Sequence, residues 1–203
     1  MRRMPRRPLY SAEMILDAAR TLVLDRGLSS ATVGEIARVS GAPTGSIYHR
    51  FGSRDDLLAR LWIRAVRRSQ QAALDAARME DPVAAAVAAA MSVYDFCDRN
   101  PADARLLLAY RREDMLQDAI TQAVVHDLQE LNRPVEQLLR RLAVALYGRA
   151  TAAAVDRVAL AAFDLPHGAV RRPLINGGKL SPRRRRDLEV AVRAVLTERL
   201  TQP

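Results

Sequence analysis

Apolar residues recur at helical spacing along almost the whole chain, and no stretch shows the sustained alternation typical of a β-strand. Near the N-terminus, Ile15, Ala18, Ala19 and Leu22 form one helical stripe. Gly27 follows that stripe at the position where a glycine often ends a helix. The pattern therefore predicts an all-α protein whose first helix runs from about Ser11 to Gly27.

Three further helices are predicted in quick succession. Thr32 and Glu35 have the spacing of a capping box, in which each side chain accepts a backbone amide of the other residue. Gly41 ends this short helix, Pro43 suits the first position of a third, and Ser53 caps a fourth. The second and third helices are only about two turns long, a spacing typical of a helix-turn-helix.

Longer helices are predicted in the rest of the chain. Their predicted features are helix starts at Asp81-Pro82, Asn100-Pro101 and Ser181-Pro182, a long helix over 116–147 bent near Pro134, a helix over 150–163, and a loop over 164–180. The loop prediction rests on the prolines and glycines of that segment.

Composition limits the function classes. The single cysteine, Cys97, excludes an internal disulfide and a cysteine-based metal cluster, and we expect no metal or cofactor. The longest apolar stretch, Val83 to Met91, is too short to span a bilayer. No signal-peptide core follows the N-terminal arginines, so we expect a cytoplasmic protein without a membrane partner. Cys97 and His126 have no spacing that indicates a nucleophile and its base, so we do not expect an enzyme.

The net charge of +9 favours a polyanionic partner. Residues 1–60 contain ten arginines and six acidic residues, so their net charge is +4 and their charge density is about twice that of the rest. The charge alone does not distinguish a sequence-specific DNA-binding protein from an architectural one or from a membrane-surface protein. The alanine-rich helix faces disfavour the membrane.

Residues 32–51 have the properties of a helix-turn-helix. Ile36 and Ala37 supply a packing face, and Gly41 supplies a turn residue that tolerates a positive φ. In the next helix Ile47 and Phe51 point inward, while the opposite face carries small and polar groups, namely Thr44, Gly45, Ser46, Tyr48, His49 and Arg50. Two short helices of an ordinary bundle remain the alternative interpretation.

The segment from Thr32 to Leu57, TVGEIARVSGAPTGSIYHRFGSRDDL, closely resembles the DNA-binding segment of the TetR family of bacterial regulators. The resemblance implies that Thr44, Ser46, Tyr48 and His49 face DNA, with Gly45 allowing close backbone approach. It also implies that Thr32 and Arg54 each hold a phosphate. This chain departs from its relatives at Thr44, where they are commonly basic, and at Arg50, where they are often aromatic. The operator sequence therefore cannot be transferred from a relative.

The resemblance also implies a domain organisation. A helix-turn-helix domain would cover residues 1–55, with an arm at 1–10 and the motif at about 32–51, and a larger helical domain over 56–203 would bind an effector and dimerise. Candidate pocket residues are Trp62, Met91, Tyr94, Cys97, Tyr110, Met115 and His126. Candidate dimer residues are Val155, Ala159, Ala162, Leu188, Ala191 and Val195, which would otherwise close the core of one protomer.

The function implied by the resemblance is a homodimeric repressor that a small-molecule effector releases from a palindromic operator. Three alternatives stay open: a constitutive regulator, an activator without a ligand, and an architectural DNA-binding protein. The arginines between Arg2 and Arg7 form either an arm that touches DNA or an unstructured tail.

Overall fold

The computed structural model describes residues 10–115 and 120–198, and all regular secondary structure in these ranges is helical. This confirms the all-α prediction. The helices are α1 (Ala12–Arg26), α2 (Val33–Ser40), α3 (Thr44–Phe51), α4 (Arg54–Ala76), α5 (Pro82–Arg99), α6 (Pro101–Ala109), α7 (Arg112–Met115), α8 (Gln122–Glu130), α9 (Arg133–Tyr147), α10 (Ala152–Ala159), α11 (Leu165–Ile175) and α12 (Pro182–Thr197). A 3₁₀ turn, Leu28–Ser30, separates α1 from α2, and none of these helices is long and apolar enough to cross a membrane.

The N-terminal caps of the short helices are those that the sequence predicts. The Thr32 hydroxyl accepts from the Glu35 amide at 3.2 Å, and the Ser53 hydroxyl accepts from the Asp56 amide at 3.0 Å. The reciprocal hydrogen bond of the predicted capping box, from the Thr32 amide to the Glu35 side chain, is not formed. The Thr32 amide donates to the Ser30 carbonyl at 2.9 Å instead, so the Glu35 carboxylate is left to pair with Arg38 at 3.0 Å.

The first apolar core joins α1, α2, α3 and the first half of α4. Its most deeply buried large side chains are Ile15, Val23, Ile36, Ile47, Leu57 and Leu61. This core extends along α4 to Ala65 and includes Leu106 of α6. Packing therefore continues past residue 55, the boundary expected from the sequence.

The second core joins the end of α4 to α5 and to α9 through α12. α5 lies at its centre and carries the alanine-rich face that lets neighbouring helices approach closely. A smaller cluster packs α8 against α4, where Ala59 and Ile63 contact Val124 and Leu128. The long helix α4 thus takes part in all three clusters.

Two sequence predictions in the C-terminal half need correction. The segment expected as one bent helix over 116–147 is divided into α8 and α9 at residues 131–132, close to the bend expected near Pro134, and residues 116–119 lie outside the described ranges. The loop expected over 164–180 is largely α11. α10 continues into α11 through a π-helical turn, Leu160–Asp164. Because this turn widens the helix just before Pro166, the missing amide hydrogen and the ring of that proline are accommodated without ending the helix.

Candidate functional site

The helix-turn-helix has the geometry that a DNA-reading motif requires. α2 ends at Gly41, whose φ of 71° lies in the left-handed region that favours glycine. α3 begins at Thr44, one residue later than the sequence indicated, because Pro43 is the N-cap. Ile47 and Phe51 are buried against the first core, with 1% and 5% of their surface exposed. The opposite face of α3 is consequently directed to solvent.

We define the reading face as the exposed residues of α3, namely Thr44, Gly45, Ser46, Tyr48, His49 and Arg50. Tyr48 is 51% exposed, although aromatic rings are among the side chains that gain most from burial. Arg50 forms no ion pair within the described ranges, so its guanidinium is available to a partner. These residues offer hydrogen-bond donors and one large ring at the end of a short helix.

Gly45 has no structural reason within the protein to be glycine. Its backbone is ordinary helix, and a Cβ placed on it would meet nothing within 4 Å. Glycine inside a helix costs about 0.5–1 kcal/mol relative to alanine. The space above Gly45 is thus open for close approach by another molecule.

Thr32 and Arg54, the two residues expected to bind phosphates, differ in how free their side chains are to contact another molecule. Thr32 is exposed, and its capping oxygen accepts a hydrogen bond, which leaves the hydroxyl hydrogen free to donate. Arg54 is occupied within the protein. Its Nε donates to the Ala31 carbonyl at 2.9 Å and its Nη2 to the Leu28 carbonyl at 2.6 Å, while Nη1 pairs with Asp55. The structure therefore gives Arg54 a positioning role between α4 and the α1–α2 connection.

A cavity of about 530 Å³ lies between α4, α5, α6, α9 and the α10–α11 segment. Its apolar lining is Trp62, Val66, Val93, Phe96, Cys97, Ala104, Leu107, Leu108, Val135, Leu139, Ala159, Phe163 and Val170. Its polar lining is Ser69, Gln70, Asn132, Glu136 and His167. The volume and the mostly apolar wall are typical of a small-molecule site.

Of the pocket residues expected from the sequence, Trp62 and Cys97 line this cavity. Met91 is buried on α5 away from it, and His126 is exposed on α8. The Tyr94 hydroxyl donates to the Ser181 carbonyl at 2.8 Å, and the Tyr110 hydroxyl donates to the Val23 carbonyl at 3.3 Å. Both tyrosines therefore join elements instead of facing a ligand. The side chain of the remaining candidate, Met115, lies outside what the structure describes.

The polar wall of the cavity was missed because its members lie far apart in the sequence. The Gln70 amide donates to the Asn132 side-chain oxygen at 3.0 Å, which joins α4 to the start of α9. Their helices carry no local motif that predicts this contact. Two titratable side chains of the lining have shifted pKa values: burial raises the pKa of Cys97 to about 11, and desolvation lowers the pKa of His167. At neutral pH the thiol is therefore protonated and the imidazole uncharged.

The expected dimer residues do not share one free surface. Ala162 and Leu188 are buried within the protomer, with 0% and 6% exposure, and Ala159 lines the cavity. Val155 and Val195 are half-buried against the second core. Ala162 and Leu188 are thus excluded from a free surface, because their helices turn that face toward α5. Of the six residues expected, Ala191 is exposed, and it lies on α12 beside Val190, which is 69% exposed.

An ion-pair network, which we call the interdomain network, connects α1 and α4 to α6. The Asp103 carboxylate of α6 is 1% exposed and contacts Arg20 of α1 and, at 3.1 Å, Arg68 of α4. Arg64 of α4 pairs with Glu13 of α1 at 2.9 Å. Burial alone would raise the pKa of Asp103, but the hydrogen bonds and charges of its two arginines outweigh burial and lower it.

Comparison with known proteins agrees with this geometry. Residues 15–61 match the sequence model of the bacterial regulatory proteins of the tetR family. The HTH-type transcriptional regulator AcrR of Shigella flexneri is 42% identical over 48 residues, and the HTH-type transcriptional repressor KstR2 of Mycolicibacterium smegmatis is 37% identical over 54. The matches cover 24% and 27% of this chain, and 22% and 26% of the relatives. This chain thus spans about a quarter of the length of those curated relatives.

Solved structures share the fold of nearly the whole chain. The fatty acid degradation regulator FadR from Bacillus halodurans superposes with a TM-score of 0.69 at 17% identity, over 94% of this chain and 100% of that one. FadR from Bacillus subtilis, solved in complex with stearoyl-CoA, gives a TM-score of 0.65 at 16% identity, over 92% and 96%. Residues 15–61 thus match the DNA-binding segment of the TetR family of bacterial regulators, and the chain as a whole shares the fold of these solved structures.

Proposed function

We propose that the chain is a sequence-specific DNA-binding repressor, and that the reading face of α3 enters the major groove. The observation that carries the proposal is the exposed, unpartnered surface of α3, above all Gly45 and Tyr48. A helix backbone that must lie against DNA needs a small residue at the contact, and base edges are read by exposed polar groups. Thr32 donates to a phosphate beside the groove.

The repressor acts as a homodimer on a palindromic operator, because two reading faces related by a two-fold axis need two half-sites. We place the contact with the second copy on the exposed stripe of α12, formed by Val190, Ala191 and Ala194. The opposite face of α12 is already occupied by Leu188 and Val192, which are buried in the protomer.

The cavity binds the effector, and α6 transmits its presence to the DNA-binding domain. α6 contributes Ala104 and Leu107 to the cavity wall, Leu106 to the first core, and Asp103 to the interdomain network. A ligand that displaces α6 therefore acts on α1 and α4 together. Such coupling typically amounts to about 1–3 kcal/mol and is equal in both directions. That FadR of Bacillus subtilis binds stearoyl-CoA supports a ligand role for a cavity of this fold.

The test measures binding to DNA that the full chain recovers from a random pool. Tyr48→Ala should weaken specific binding by about 1–3 kcal/mol, the scale of one good base contact, with unchanged helicity by circular dichroism. The control is Met79→Ala, which removes an equally exposed apolar side chain (55%) between α4 and α5. Equal affinities of the Tyr48→Ala and Met79→Ala variants would contradict the assignment of the reading face.

A further inference from the structure

The cavity has an uneven distribution of charge. Among its described lining residues, Glu136 is the acidic one, and neither arginine nor lysine is present. His167, which also lines the cavity, is uncharged at neutral pH because desolvation lowers its pKa. This is unexpected in a chain with a net charge of +9.

Glu136 lies at one end of the cavity, where the side chains of Ser69, Gln70 and Asn132 also line the wall. Asn132 is the N-cap of α9, and its carbonyl accepts from the Glu136 amide at 3.0 Å, so both residues lie on the first turn of that helix. Gln70 is held beside them by its bond to Asn132, and Ser69 precedes Gln70 on α4. Apart from His167 and Cys97, the rest of the lining is aliphatic and aromatic. The cavity therefore has one polar end and an apolar body.

The Glu136 carboxylate is not neutralised by neighbouring arginines. Arg133, one turn earlier on α9, pairs with Glu130 at 2.7 Å, and Glu136 itself forms no ion pair within the described ranges. Glu136 is solvent-exposed, which locates it at the mouth of the cavity. An anionic head group would meet this carboxylate without a compensating cation, whereas a protonated amine would form a charge-assisted hydrogen bond with it.

We propose, on the basis of the proposed effector role of the cavity, that its ligand is a cationic amphiphile. The apolar body fills the space between Trp62, Phe96 and Phe163, and an amine head group binds the Glu136 carboxylate with Asn132 and Gln70 beside it. The ligand class is thus opposite in charge to a free fatty acid. Because the protein is strongly basic, non-specific attraction would favour the anion, so a preference for the amine must originate at this site.

The experiment compares decylamine, decanol and decanoate, which share one apolar chain and differ in head-group charge. Isothermal titration calorimetry on the full chain gives the affinities, and the fluorescence of Trp62, the single tryptophan, reports occupancy of the cavity. We expect decylamine to bind about tenfold or more tightly than decanoate, with decanol between them. Glu136→Gln should reduce the affinity for decylamine to that for decanol, and Glu136→Arg should reverse the order of the two charged ligands.

The matched control is Glu189→Gln, which removes the same charge from α12, where Glu189 pairs with Arg193 and does not line the cavity. It should leave all three affinities unchanged. Tighter binding of decanoate than of decylamine, or no binding of any of the three, would overturn the proposal. Either result leaves the DNA-binding role intact, because recovery of specific DNA by the ligand-free chain is measured separately.

Discussion

Replacing Asp103 by asparagine removes the charge at the centre of the interdomain network. The carboxylate is buried between Arg20 and Arg68, whose side chains are 19% and 41% exposed. Breaking a buried ion pair by removing one partner typically costs about 3–5 kcal/mol, because a charge is left without compensation. Here each arginine keeps a second carboxylate, Asp17 for Arg20 at 3.2 Å and Glu13 for Arg68 at 2.5 Å. We therefore expect a smaller loss, about 2–3 kcal/mol in the free energy of unfolding.

Urea denaturation at pH 7 of the full chain and of the Asp103→Asn variant measures this difference. The control is Asp98→Asn, an exposed residue of α5 that should change the free energy of unfolding by less than about 0.5 kcal/mol. Because the folded state lowers the pKa of Asp103 below its ordinary value of 3.8, the carboxylate contributes its stability above that pH. The contribution is lost as the pH falls through the folded pKa. The stability difference should thus be constant from about pH 7 to 5 and shrink below about pH 4. A loss at pH 7 no larger than that of Asp98→Asn would refute this account of the network.

Three further variants test separate parts of the account. Gly45→Ala should stabilise the protein by about 0.5–1 kcal/mol, since the added Cβ meets no atom of the protein, and it should weaken operator binding. Thermal unfolding and DNA titration measure the two effects. An unchanged DNA affinity would contradict the close approach of the α3 backbone to DNA. Arg54→Ala should lower the free energy of unfolding by about 1–3 kcal/mol, because it leaves carbonyls of the α1–α2 connection without their donor. Arg50→Ala, by contrast, should weaken DNA binding at unchanged stability. Equal stabilities of the Arg54→Ala and Arg50→Ala variants would disprove the positioning role of Arg54. Val190→Glu should convert the proposed dimer to a monomer in sedimentation velocity, and a variant that stays dimeric would exclude the α12 stripe as the interface.

The part of the fold that the sequence predicted well is the part governed by local interactions. Three such features depend on residues that are close together in the sequence: the apolar face of α1 around Ile15, the N-cap of α2 at Thr32 and the left-handed turn at Gly41. The same holds for the inward position of Ile47 and for the exposed Tyr48, because a short helix with one apolar face has little choice of orientation.

The features that the sequence did not predict depend on contacts between distant segments. The prolines and the glycine of α11 predict a loop, because the π-helical turn that accommodates Pro166 has no local signature in the sequence. Arg54 was expected to bind a phosphate, but carbonyls more than twenty residues earlier in the chain occupy it. Residue type alone predicts Tyr94 and Tyr110 as pocket residues, but each hydroxyl instead donates to a carbonyl 87 residues away in the sequence.

The most direct test of the central claim is selection of bound DNA from a random pool by the full chain. Two reading faces related by a two-fold axis should recover an inverted repeat whose half-sites lie about one helical turn, or slightly more, apart. The Tyr48→Ala variant should recover a weaker motif or none. Recovery of sequences without a common motif, bound with an affinity that depends on salt but not on sequence, would show that the chain binds DNA only through its charge and would contradict the account.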